Sequence, residues 1–125
     1  WPLIVAAVWN NETQTETIVG FTNFQIRKDR NATLYEIAVQ NEYRKNRLGS
    51  RLLSELIRRV HVAGGKHVCL KCPEELPANE FYQKSGFQHV ETVEGKKRRL
   101  NVWYYTYSTQ HHSGAGSPRL LLKMR

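Results

Sequence analysis

Two cysteines, a single methionine and no apolar run of membrane length set the first limits on this chain of 125 residues. A bilayer-spanning helix needs about 20 predominantly apolar residues. The longest apolar stretches here are strand-sized, so no membrane span is expected. Cys69 and Cys72 form a lone Cys-x-x-Cys pair. A structural zinc site draws on four ligands, and a redox pair wants a low-pKa thiol at a helix start. Neither accompanies this pair, which reads as two reduced strand cysteines in a reducing compartment. His61, His67, His89, His111 and His112 have no spacing with other ligands that marks a metal site, and no Ser-His-Asp or reactive-cysteine arrangement follows from order and spacing. Acidic residues are scarce as well: 11 Asp and Glu stand against 19 Lys and Arg. The formal net charge of +8 favours polyanionic ligands such as nucleotides, nucleic acid or acidic surfaces, without choosing among them.

What is present is ordinary for a soluble globular chain: 40% hydrophobic and 24% charged residues, at a length that supports one core. Residues 3–9 are an apolar run of strand length, and residues 18–26 a second one, joined through a polar stretch as in a hairpin. Residues 33–40, rich in β-branched and aromatic side chains, suggest a third strand. From 46 to 63 the apolar residues Leu48, Leu52, Leu53, Leu56, Ile57 and Val60 recur with a period near 3.6, which predicts an amphipathic helix ending at Gly64 and Gly65. A short strand over 67–72, a second helix over 78–85 stopped by Gly86, and two strands over 87–93 and 100–107 complete the pattern. A Ser/Gly/His-rich segment, 108–118, precedes a last apolar run at 120–122, so 108–125 is left as a tail or an added strand beyond a domain over 1–107. No internal repeat or long linker interrupts this order, which argues for one mixed α/β domain.

The chemistry is concentrated at two junctions. Between the third strand and the first helix the chain reads Val39-Gln-Asn-Glu-Tyr-Arg44-Lys45-Asn46-Arg47-Leu48-Gly49-Ser50. A helix start presents backbone N–H groups without intrahelical partners and partial positive charge from the macrodipole, so it holds an anion such as a phosphate. Arg44, Lys45 and Arg47 add cations around that turn. The second junction is Asn79-Glu-Phe-Tyr82-Gln-Lys-Ser-Gly-Phe87.

Together these segments resemble the GNAT superfamily of acyl-CoA-dependent N-acetyltransferases, over roughly residues 3–107. The resemblance implies a mixed, mostly antiparallel sheet with splayed central strands and flanking helices. The strand and two helices that the family carries ahead of the first hairpin have no counterpart in these residues. It also implies acetyl-CoA as co-substrate, with no metal. The family's Arg/Gln-x-x-Gly-x-Gly/Ala signature maps its first residue onto Arg44 and its last onto Gly49, while Arg47 stands at the first glycine position. By this resemblance the backbone of Lys45, Asn46, Arg47, Leu48, Gly49 and Ser50 faces the pyrophosphate. The strand edge of Ile37, Ala38 and Val39 pairs with the pantetheine arm, and the Val39 N–H is placed to stabilise an oxyanion. Tyr82 falls on the tyrosine that protonates the departing thiolate in many members. At the position seven residues before it, where members often carry Asn, this chain has Glu75.

The acceptor is expected to be a primary amine on a small molecule or peptide, attacking the thioester directly. An amine must lose a proton first, and Glu36 or Glu74 is available as the general base. A non-catalytic acyl-CoA-binding domain and a basic nucleic-acid-binding module, including action on charged tRNA, remain as alternatives. A cytoplasmic location, no membrane attachment and compatibility with a homodimer complete the expectations.

Overall fold

In a computed structural model, which describes residues 3–107 and 121–124, the chain forms a seven-stranded sheet with its helices packed on one face. In chain order the elements are β1 (Leu3–Asn10), β2 (Thr15–Ile26), β3 (Ala32–Val39), a 3₁₀ turn (Asn41–Asn46), α1 (Leu48–Val62), β4 (His67–Pro73), α2 (Ala78–Lys84), β5 (Gln88–Glu94), β6 (Arg99–Thr106) and β7 (Leu121–Met124). The sheet order is β5-β6-β4-β3-β2-β1-β7, antiparallel throughout except where β3 meets β4. That one parallel pair needs a crossover, which α1 supplies.

The helical stripe does what its period requires. Leu48, Leu52, Leu53, Leu56 and Val60 are all buried and join Ile4, Val19, Phe24, Leu34, Val68 and Leu70 of the sheet in one core. The helix ends where Gly64 turns to a φ of 93°, and a Cβ on the following Gly65 would overlap the Arg30 carbonyl and the Val60 side chain. Helix α2 packs on the same core through Ala78, Phe81 and Tyr82. A continuous aromatic row, Phe81, Tyr82, Phe87, Tyr105 and Tyr107, then leads back to His61 on α1, with neighbouring rings 4.6–5.8 Å apart.

One strand pair is only half made. β3 and β4 share the pairs Ala32↔Val68 and Thr33↔Cys69 and then part, although both strands continue. Just ahead of that short ladder, the Asn31 side-chain oxygen accepts hydrogen bonds from the backbone N–H groups of Lys66 (2.7 Å) and His67 (3.1 Å). Just beyond it, a bulge leaves Tyr35 as an extra residue, since Asn23 opposes Glu36 while Phe24 opposes Leu34. A bulge bends its strand. The two central strands are thus pinned at one end and diverge toward the other, and this is the expected splay.

The expected elements recur with small shifts: the third strand begins one residue earlier, and the basic turn contains a 3₁₀ helix that hydrophobic spacing did not reveal. Of the segment left open as a tail or added strand, Leu121–Met124 forms β7 along β1. Residues 108–120, with His111 and His112, lie outside the described residues. Cys69 and Cys72 are both free; Cys72 belongs to the core, whereas Cys69 lies on the opposite face beside Thr33 and Arg27. Among the described residues no helix is long and apolar enough to cross a membrane.

Replacing Asn31 with alanine removes the shared acceptor of two backbone N–H groups at the closed end of the splay. Asn31→Ala is expected to lower the unfolding free energy by about 1–3 kcal/mol, the cost of leaving such groups unsatisfied, as measured by urea denaturation.

Candidate coenzyme site

Because backbone groups alternate in direction along a strand, the β3 edge can be assigned from one bond. The Gln40 N–H donates to the Val19 carbonyl on β2 (2.9 Å), so the N–H and C=O of Ala38 also face β2. Those of Ile37 and Val39 then face the gap left by β4. The Val39 carbonyl confirms this direction, since it accepts a hydrogen bond from Arg44 Nε (3.3 Å), a residue beyond the strand end. An open depression of about 380 Å³, lined by residues 18–21 and 38–40, runs beside the outer end of β3.

The wide end of the gap meets the start of α1, because β3 leads through the 3₁₀ turn into that helix. The first helical bond runs from the Arg51 N–H to the Arg47 carbonyl (3.1 Å), and no side chain caps the helix. The N–H groups of Leu48, Gly49 and Ser50 therefore belong to the first turn, where an anion is favoured. Leu48 is buried and anchors the turn, whereas Arg44, Arg47 and Ser50 are exposed; the backbone of Lys45 and Asn46 belongs to the 3₁₀ turn. A Cβ on Gly49 would stand 3.7 Å from Phe81 and 3.9 Å from Val39, ordinary contacts. Among the described residues nothing demands a glycine there.

Tyr82 lies on α2 next to Phe81, the residue that faces Gly49. Its ring packs edge-on against Phe81 and Phe87, and its hydroxyl has no hydrogen-bond partner among the described residues. Burial pushes the phenol up to about 12, with the Cys72 thiol adding to the shift, so the hydroxyl keeps its proton throughout the neutral range. Burial also raises the Cys72 thiol, followed by the influence of Glu75. Asn79 fixes the start of α2: its Nδ2 donates to the carbonyls of Pro73 and Leu76 (both 2.8 Å), and its Oδ1 accepts from Trp103 Nε1 (2.9 Å) and Asn101 Nδ2 (3.1 Å). The β4 exit, α2 and β6 are thereby tied at one point.

Residues 4–89 match the family model described as the acetyltransferase (GNAT) domain. The chain belongs to the GNAT family. It is 26% identical over 102 residues to a Ycf52-like N-acetyltransferase of Prochlorococcus marinus that is itself uncharacterised, covering 82% of this chain and 53% of that protein. The chain thus spans about half the length of this curated relative. Among solved structures it is similar to the ribosomal-protein-S18-alanine N-acetyltransferase from Escherichia coli, with a TM-score of 0.65 at 22% identity, covering 79% of this chain and 68% of that one. It is also similar to the PaiA N-acetyltransferase from Thermoplasma acidophilum in complex with coenzyme A, with a TM-score of 0.64 at 24% identity, covering 73% of this chain and 55% of that one. These likenesses place the splayed sheet in the GNAT fold.

The GNAT signature also explains a backbone feature. Arg47, at the first glycine position, has φ 58° and ψ 28°, the left-handed conformation that glycine adopts without penalty. The carboxylates lie apart. Glu36 is exposed on β3 near the narrow end of the gap, on the face turned away from the helices. Glu74 is at the β4 exit, with its carboxylate 4.0 Å from Arg99 Nη1, and Glu75 pairs with Arg98 at 3.0 Å. The structure therefore gathers the β3 edge, the α1 start and, through Phe81, the Tyr82 helix at the wide end, and separates Glu36 from Glu74 along the gap. Asn31 and Asn79 were not singled out by their sequence context. The only local signal is an asparagine beside a strand start or in the first turn of a helix after proline, and neither reveals a partner distant in sequence.

Arg47→Gly is expected to stabilise the protein by about 0.5–1 kcal/mol, the left-handed penalty of a side chain less the backbone entropy of glycine, as read by denaturation without ligand.

Proposed function

We propose that this GNAT domain is an acetyl-CoA-dependent N-acetyltransferase that passes an acetyl group to a primary amine by direct attack. The observation that carries this reading is the gap between β3 and β4, with a helix start that no side chain caps among the described residues at its wide end and, along one wall, the backbone edge of Ile37 and Val39, which β4 does not pair. A pyrophosphate on the 45–50 backbone and a pantetheine arm paired with β3 fit that arrangement. Complexes of two similar proteins with acetyl-CoA or coenzyme A support the same ligand. Arg44 donates to the Val39 carbonyl. In this reading the arm takes over that carbonyl, and the guanidinium turns to the phosphates beside Arg47.

The residues then have separate tasks. The Val39 N–H is the donor proposed for the oxyanion that develops at the acetyl carbonyl. Glu36, which lies toward the narrow end and has no ion-pair partner among the described residues, is the preferred base for the ammonium proton of the acceptor; Glu74, beside Arg99, is the second. Tyr82 gives its proton to the departing thiolate. A phenol pushed up to about 12 by burial carries its proton at neutral pH and can hand it to the thiolate as the C–S bond breaks. The acceptor amine belongs to a small molecule or a peptide. Two free cysteines fit a reducing, cytoplasmic setting.

Two substitutions test these assignments. Gly49→Ala fits the empty protein and should stabilise it by about 0.5–1 kcal/mol, as alanine does in a helix. It should nevertheless weaken acetyl-CoA binding roughly tenfold or more, about 1.4 kcal/mol, because the methyl occupies the approach to the first helical turn. Calorimetric titration and denaturation read the two opposite signs, and unchanged affinity removes the pyrophosphate assignment. Tyr82→Phe retains the ring contacts and deletes the proton. Turnover should fall roughly 10- to 10⁴-fold with acetyl-CoA affinity little altered, and equal turnover in both proteins makes Tyr82 structural.

A further inference from the structure

The splay separates a pair of opposite charges that a closed sheet would bring together. On β4 the residues Val68, Leu70 and Cys72 enter the core, so Cys69 and Lys71 point to the face turned away from the helices. On β3 that face carries Thr33 and, at the bulge, Tyr35 and Glu36. The contact of Thr33 Oγ1 with Cys69 Sγ (3.6 Å) confirms that the two strands share this face at the last paired position. Two residues further along β4 stands Lys71, across the opening gap from Glu36. Both are exposed, and neither has an ion-pair or hydrogen-bond partner among the described residues. Carried forward with strands about 4.8 Å apart, the register would set Lys71 against the bulge at Tyr35, with Glu36 the next residue along β3. Here the divergence leaves each without a counter-charge.

These charges lie inward of Val39, whose N–H faces the acetyl carbonyl in the reading above. If phosphates are held at the α1 start, the arm runs inward along β3, and the strand from Val39 back to Glu36 is about 10 Å long. An acceptor entering from the helix-free face meets Glu36 on one wall and Lys71 on the other. Tyr35 stands beside the first, and Tyr104, paired with Cys69 and stacked on His67, flanks the second.

We propose that the acceptor is a zwitterionic amine of the amino-acid type, whose ammonium is drawn to Glu36 and whose carboxylate is held by Lys71, making Lys71 a specificity-determining residue. This rests on the transferase reading above and narrows it from amines in general to amines that carry their own acid group. Such a ligand restores to both side chains the counter-charge that the splay removed. The net charge of +8 draws the anionic end of the same ligand.

The test compares the full chain on matched series, several amino acids against the corresponding amino-acid amides, by thiol release from acetyl-CoA. The acids should exceed the amides roughly tenfold in kcat/KM, the scale of one hydrogen bond to a charged group, mainly through a lower acceptor KM. That preference should shrink with added salt. In Lys71→Gln the acid-to-amide ratio should fall toward one while the KM for acetyl-CoA is retained, and in Lys71→Glu the ratio should invert. Acetylation of both series at equal efficiency by the unaltered chain, or a preference that survives in Lys71→Gln, overturns this inference and leaves the transferase reading standing. No thiol release with any amine of either series overturns both.

Discussion

The parallel pairing of β3 with β4, held to two residue pairs and an asparagine clamp, is the constraint on which the rest of this structure depends. Parallel neighbours must be joined by a crossover, and the crossover helix α1 covers the pair on one face. Its packing holds the strands together at the base. Beyond the bulge at Tyr35 nothing compels them to remain paired, so the backbone edge of β3 stays open inside the domain rather than at its rim. An open edge is usually a liability. Enclosed between strands of the same sheet, it becomes a binding wall that another chain cannot easily reach.

The same geometry explains why so many functional groups fall at one end. β3 and β4 run in the same direction, so the end of β3, the start of α1 and the exit of β4 all meet at the wide end of the gap. Asn79 joins that exit to β6 and to the start of α2, which sets Phe81 against Gly49 and Tyr82 beside Cys72. The start of α1 and Tyr82 are therefore positioned by a single corner of the fold, although more than thirty residues separate Gly49 from Tyr82 in the chain.

Local strain marks that corner too. Arg47 keeps a left-handed backbone at the helix cap, where glycine would be relaxed, and it keeps a guanidinium beside the helix start in exchange. Arg44, from the same turn, satisfies the Val39 carbonyl. A polar edge that would otherwise be solvated only in part thus has a protein partner that a ligand can displace.

Much of this architecture was determined by the sequence itself. The 3.6-residue stripe from Leu48 to Val60, the glycine stops at 64–65 and 86 and the strand-length apolar runs are local signals, and local signals survive into the fold because each element's burial pattern must match its own period. The basic turn ahead of α1 and the segment around Tyr82, to which the coenzyme and proton-donor roles are proposed, were legible as motifs for the same reason: both are contiguous. Only the tertiary structure decided the rest. That β3 and β4 part after Thr33, that Asn31 clamps the narrow end while Asn79 ties the β4 exit to α2 and β6, that Cys69 and Cys72 lie on opposite faces, and that Glu36 and Lys71 share one face on opposite walls of the gap all depend on strand register and on contacts between residues distant in the chain. Register is a property of two strands at once, and neither strand's sequence states it alone.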